Sequence, residues 1–170
     1  IGIILAAVFV AMVISILLSI FIWNPLEVGC QKFFINCKYG NAELGDIAYG
    51  FKNGYAHIGM IMFLRGLFTG LWMLLFIIPG IVKSYEYMMI PYLLAEHPEM
   101  TRQEAFAESK QMMDGNKWDA FVLDLSFIGW TLLGVCTFGI LLVFYVEPYI
   151  YLTRAELYHA LKNNNKSVEF

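Results

Sequence analysis

The sequence predicts an all-α fold: a polytopic transmembrane helical bundle of about five membrane helices, joined by amphipathic interfacial helices. Hydrophobic residues make up 59% of the chain and charged residues only 15%. A soluble domain carries roughly 25% charged residues, so this chain has too little polar surface to cover a water-soluble globule. Residues 1–23 contain no charge at all, and four further apolar stretches follow with few charges in each. Residues 1–170 read as a single membrane domain.

The first helix is expected over 1–23, because ~20 apolar residues cross the ~30 Å hydrocarbon core. This stretch lacks the basic start, short apolar run and small-residue cleavage site of a signal peptide. The chain begins at Ile1 without a methionine, so upstream residues, another helix among them, are expected. Residues 24–56 alternate Phe33, Phe34, Tyr49 and Phe51 with lysines and glycines, a composition suited to short helices lying at the interface. The second spanning helix is placed at 57–78, interrupted only by Arg65, and a third at 81–97, containing Lys83 and Glu86. Residues 101–116 form a second interfacial helix. It opens on a Thr101/Glu104 capping box, carries Ala105, Phe106, Met112 and Met113 as one apolar stripe, and stops at Gly115. A fourth helix over 118–137 carries Asp119 and Asp124. The last, over 140–162, carries Glu147 and turns polar after Thr153.

Charge decides how these helices are threaded. Membrane-proximal Lys and Arg concentrate on the cytoplasmic side. With reversals at Pro79-Gly80 and at residues 137–139, the loops 24–56 and 98–117 and the C-terminus share one side. That side then holds Lys32, Lys38, Lys52, Arg102, Lys110, Lys117, Arg154, Lys162 and Lys166, against Lys83 alone on the other. One long kinked helix through Pro79 gives a weaker asymmetry. The expectation is therefore a hairpin, with those loops and the C-terminus on the cytoplasmic side.

Charges within apolar helices are costly and face protein or water. By helix rise, Arg65 and Asp124 lie at similar depth and are expected to pair, while Lys83, Glu86 and Glu147 are expected to form a second cluster nearer the opposite face. Two readings stand for both groups: ion pairs that hold helices in register, or a polar pathway. Glu147-Pro148 is the most suggestive element, because proline frees a carbonyl one turn earlier and an acid lies beside that opening. Pro79, Gly80 and Pro148 are the candidate hinge or turn residues. Gly66 and Gly70 form a GxxxG pattern that permits close helix approach, expected within the bundle rather than between copies. Trp23 and Trp118 suit an interfacial belt, and Trp72 and Trp130 read as packing residues.

Enzyme signatures are missing. His57, His97 and His159 fall in separate segments, and the sequence has no HExxH, GxSxG or P-loop pattern. A three-histidine site on one face was weighed against exposed interfacial histidines, which are the expectation. Cys30, Cys37 and Cys136 show no metal-binding or disulfide spacing and read as small apolar residues. No catalysis, cofactor or metal is expected. The net charge of -3 gives no reason to expect nucleic acid as a partner.

The segments "NPLEVG", "LWMLLFIIPGIVKSYEYMMIPYLLAEHPEMT", "EAFAESKQMMDGNKWDAFVLDLSFIGW" and "EPYIYLTRAELYHAL" together resemble the bacterial membrane family known as domain of unknown function 975 (DUF975). The likeness covers most of the chain from Asn24 to Leu161. More distantly, the family is similar to the membrane domain joined to some glycerophosphodiester phosphodiesterases. The resemblance implies a polytopic helical protein of the bacterial cytoplasmic membrane and transfers no functional residue. The functional expectation is a non-catalytic membrane protein that binds or moves a lipid or another amphipathic molecule. The alternative is a structural or regulatory subunit of a membrane complex. Expected partners are membrane lipids and, on the alternative reading, a membrane protein or a second copy of the chain.

Overall fold

The computed structural model describes residues 2–137 and 139–168. Among them lie ten α-helices and no strand. α1 (Gly2–Leu18) passes through a π-turn, Ser19–Trp23, directly into α2 (Asn24–Lys38). The interfacial segment expected after Trp23 is therefore a continuation of the first helix. Pro25 explains the π-turn. It has no N–H to offer the carbonyl one turn back, so the helix widens there. The freed carbonyl, that of Phe21, accepts a hydrogen bond from the Tyr55 hydroxyl at 2.7 Å.

After α2 the chain folds back through a 3₁₀ turn, Leu44–Ala48, and α3 (Tyr49–Lys52). The contact is backbone against backbone. A Cβ on Gly29 would overlap the Ile47 carbonyl, and one on Gly50 would overlap the Pro25 carbonyl. Asn36 donates to Asp46 at 2.9 Å across the same contact.

α4 (Tyr55–Leu75) reverses into α5 (Ile77–Glu86), and the two pack as a hairpin. The reversal is at Phe76, the one extended residue between them (φ -152°, ψ 126°). Pro79 and Gly80 are instead helical, which corrects the expected turn position. Proline belongs in the first turn of a helix, where its missing N–H costs nothing. Gly80 lets α5 close on the Met73 backbone of α4. From α5 a turn at 87–89 leads to α6 (Ile90–Glu96), in which residues 90–95 are all buried. α7 (Arg102–Met113) begins with the Thr101/Glu104 capping box and is followed by Gly115 at φ 77°. Ala105, Met112 and Met113 are buried in the core, so one face of α7 packs against the bundle while the other, with Arg102, Gln103, Lys110 and Gln111, is exposed. α8 (Lys117–Ser126) and α9 (Ile128–Cys136) follow, then a π-turn, Leu142–Val146, and α10 (Glu147–Val168). At the reversal between α9 and the π-turn, Gly139 has φ 81° and donates its N–H to Gly134. Phe138 lies outside the described residues.

Among the described residues, three helices are long and apolar enough to cross a membrane: Ile4–Lys38, Tyr55–Leu75 and Lys117–Val135. That is fewer than the five expected. α5 has 10 residues, a rise of ~15 Å, which is half a crossing. α10 is long enough but carries Glu147, Arg154, Glu156 and Lys162.

Burial divides the molecule into two zones. Large apolar side chains are exposed along 4–23, 67–82 and 125–145. The buried core draws on α2, α6, α7 and α10, through residues such as Val28, Leu93, Met113 and Tyr158. The first zone has the outward-facing apolar surface of a protein solvated by lipid, and the second has an interior of its own.

Candidate functional site

The charges that matter lie where these zones meet. Three helices of the core, α2, α6 and α10, each have proline as their second residue: Pro25, Pro91 and Pro148. Each such start leaves an opened carbonyl at the junction. Pro91 opens that of Tyr87, which accepts a hydrogen bond from Arg65 Nε at 2.9 Å.

Arg65 and Asp124 do not pair with each other. Arg65 Nη1 donates to Glu27 on α2 at 3.0 Å, and Asp124 accepts from Arg154 Nη2 on α10 at 2.9 Å and from the Tyr85 hydroxyl at 3.1 Å. Helix rise compares positions along each helix, whereas pairing is set by which helix packs beside which. Glu27 and Arg154 were missed because they fall in segments that read as interfacial or polar. Within those segments one charge carries no more signal than its charged neighbours.

The second expected cluster is half formed. Glu86, with its side chain 6% exposed, binds Lys83 Nζ at 2.5 Å through one oxygen and Lys117 Nζ at 2.7 Å through the other. Lys83 also lies over the rings of Trp72 and Tyr87. Glu147 is exposed and takes no part. The reason is the shortness of α5: Glu86 comes down to the level of the start of α8, where Lys117 is, and not to that of Glu147. Ser109 donates to the Glu86 carbonyl at 2.7 Å and ties α7 to the same point. Pro148 starts α10 directly after the π-turn, which agrees with a proline-opened helix at this position.

Clefts open beside these charges. One, of about 340 Å³, is lined by Asp124 and Arg154 and walled by Phe127, Ile128, Thr131, Leu132, Val135 and Ile150. A second, of about 410 Å³, holds Asn24, Glu27, Arg65, Thr69 and Ser84 together with Gly66 and Gly70. A Cβ added at either glycine meets nothing within 4 Å. The GxxxG face is therefore open to a cleft, not packed within the bundle as expected.

Deeper in the core, Tyr158 donates to Glu96 Oε2 at 2.6 Å, and Lys162 binds the same oxygen. Burial alone would raise the Glu96 pKa, and these two partners more than reverse that and hold it below the usual carboxylate range. Beside them His159 is 5% exposed. Its pKa is lowered by burial and by Lys38. The other histidines are apart from it: His57 contacts the Met100 carbonyl at 2.7 Å, and His97 lies 3.7 Å from Glu99.

Chemically, the Asp124–Arg154 cleft offers a balanced ion pair at one end of an apolar trough. Such a site suits a molecule with a polar head and an apolar body. No curated protein and no solved structure matches the chain, so the more distant likeness to phosphodiesterase-linked membrane domains gains no support. Residues 1–165 match the family described as "Protein of unknown function (DUF975)", and the chain belongs to that family.

Proposed function

We propose that this protein is a non-catalytic membrane protein that binds an amphipathic molecule, in the first instance a lipid, from the side. The headgroup meets Asp124 and Arg154, and the apolar body lies along the exposed face of α9. One observation carries this reading: the 340 Å³ cleft joins an acid–arginine pair to an apolar wall that continues into the lipid-exposed zone. From Asp124 to Val135 the helix rise is roughly 16 Å, enough to lie against much of an acyl chain. Binding is the step this geometry supports. Movement of the molecule would also require the Asp124–Arg154 pair to open.

A photo-crosslinking residue at Leu132, in the cleft wall, tests the idea in membranes. The reading expects lipid adducts at Leu132 that disappear with Arg154→Gln. Adducts unaffected by that substitution would count against a headgroup site there.

The protein is placed in a bacterial cytoplasmic membrane, with residues 24–56 and 98–117 and the C-terminus cytoplasmic. The Lys and Arg distribution supports this. The contact of Lys83 with Glu86 and Lys117 brings the one exceptional lysine to the level of the others. Leu44 is 80% exposed in the turn that follows α2, so a cysteine there should react with an impermeant maleimide only after the cells are opened. Labelling of Leu44→Cys in intact cells would reverse the assigned orientation.

A second reading, a subunit acting through a membrane partner, is favoured by one feature. Residues 4–18 of α1 are all exposed, and the main packing of this helix is against its own continuation, Ser19–Trp23. A partner that co-purifies and is lost when 1–18 is replaced by an unrelated apolar helix would support it.

A further inference from the structure

Another cleft carries a different charge balance. It lies between α5 and α8, encloses about 310 Å³, and is lined by Ile78, Ile81, Val82 and Tyr85 from one helix and Lys117, Trp118 and Phe121 from the other; the Tyr85 hydroxyl is spent on Asp124. Its walls are almost wholly apolar, and Ile78 is 77% exposed while Trp118 is 70% exposed. The trough therefore opens sideways toward lipid.

The charge beside it is unbalanced. Glu27 offsets Arg65, and Asp124 offsets Arg154, one for one. Glu86 instead faces two cations, Lys83 on one carboxylate oxygen and Lys117 on the other. One carboxylate cannot neutralise two ammonium groups, so the cluster keeps a formal excess of one positive charge. Asp119 is exposed on α8 and forms no ion pair with either lysine among the described residues. Each lysine spends one of its three N–H donors on Glu86. Lys117 also lines the cleft, with its side chain 28% exposed. An apolar trough with a single uncompensated cation at its lining matches one class of occupant, a lipid whose headgroup carries net negative charge.

We propose that the α5–α8 cleft is a binding site for an anionic phospholipid, with the phosphate at Lys117 and an acyl chain against Ile78, Ile81 and Phe121. This rests on the lateral-binding reading above for its general class of ligand. It uses a different cleft and a different charge, so either can fail alone.

Trp118 is the built-in reporter. The full chain with Trp23, Trp72 and Trp130 replaced by Phe is placed in vesicles of fixed phosphatidylglycerol and phosphatidylcholine content. The bromine quencher is carried on the phosphatidylglycerol in one set and on the phosphatidylcholine in the other, so that surface charge never changes. One basic residue near a membrane surface corresponds to about a fivefold local enrichment of anionic lipid. Quenching per brominated lipid should therefore favour phosphatidylglycerol by about fivefold. Lys117→Gln should bring the two sets to equality, and Lys117→Arg should keep the preference. Lys83→Gln, which removes the same excess charge from the other side of Glu86, should also abolish it. Equal quenching in the Trp118-only protein, or a preference that survives both Gln substitutions, would overturn the proposal. No lipid adduct at Leu132 in the otherwise unsubstituted protein, or adducts that persist in Arg154→Gln, with the Trp118 preference intact, would overturn only the earlier reading.

Discussion

At the scale of single residues, Glu86 is the clearest case of a charge held by its surroundings. It is nearly buried, and both oxygens are taken by lysines from different helices. Removing one member of a buried ionic group leaves the others uncompensated, and that cost outweighs the strength of the pair itself. Glu86→Gln should lower stability by about 3 kcal/mol in detergent, while Glu147→Gln, at an exposed position outside any cluster, should leave it unchanged. Thermal unfolding followed by circular dichroism checks both. His159 gives a prediction in pH. Its folded-state pKa is below the ordinary 6.5, so on acidification the unfolded chain takes up the proton first. Its contribution is therefore complete above 6.5 and is lost as the pH falls below that value. The groups around it are Lys38, Glu96, Glu156 and Lys162. Stability should decline as the pH falls below 6.5, and His159→Phe should flatten that decline. An unchanged slope in the variant would remove His159 as its source. The individual charges Arg65, Lys83, Glu86 and Asp124 were legible in the sequence, because a charge in an apolar helix stands out. Their partners were not legible, because Glu27, Lys117 and Arg154 lie in polar segments where a charge carries no signal.

At the scale of elements, three proline-started helices explain most of what the sequence obscured. Only near Pro25 does the sequence reading end a helix; Pro91 falls inside the helix expected over 81–97 and Pro148 inside the one expected over 140–162. In the structure two of them follow π-turns, at Ser19–Trp23 and Leu142–Val146, and the helix resumes. The break at Trp23 was therefore overestimated, and α2 was read as interfacial when it belongs to the core. The α4–α5 hairpin was legible from charge asymmetry, and its turn was misplaced onto Pro79-Gly80 because proline signals both turns and first helical turns. Glycines divide sharply between elements. A Cβ at Gly29 collides with the Ile47 backbone, whereas one at Gly66 meets open space. Gly29→Ala should cost about 1–3 kcal/mol through overpacking. Gly66→Ala should be neutral or slightly stabilising, since alanine is the better helix former by about 1 kcal/mol. Equal effects at the two sites, measured as shifts in thermal stability, would contradict the placement of the Leu44–Ala48 turn against α2.

At the scale of the whole molecule, an apolar, outward-facing zone stands against a zone with its own buried core, and the charges lie between them. The apolar composition made the membrane assignment readable at once. The number of spans was overestimated because apolar character alone does not distinguish a crossing from a core helix: α6 is almost entirely buried in protein, and α5 reaches only half-way across. The arrangement leaves clefts whose apolar walls face lipid and whose polar ends lie among the junction charges. On this account the junction is where headgroups are held, and the exposed zone is where chains lie. Native mass spectrometry of the protein extracted in mild detergent, with its bound molecules identified, tests that claim most directly. The account predicts a defined lipid or amphiphile retained in fixed ratio, and loss of one such molecule in Arg154→Gln. A wild-type protein that carries no defined molecule, or an Arg154→Gln variant with the full wild-type complement, would contradict it.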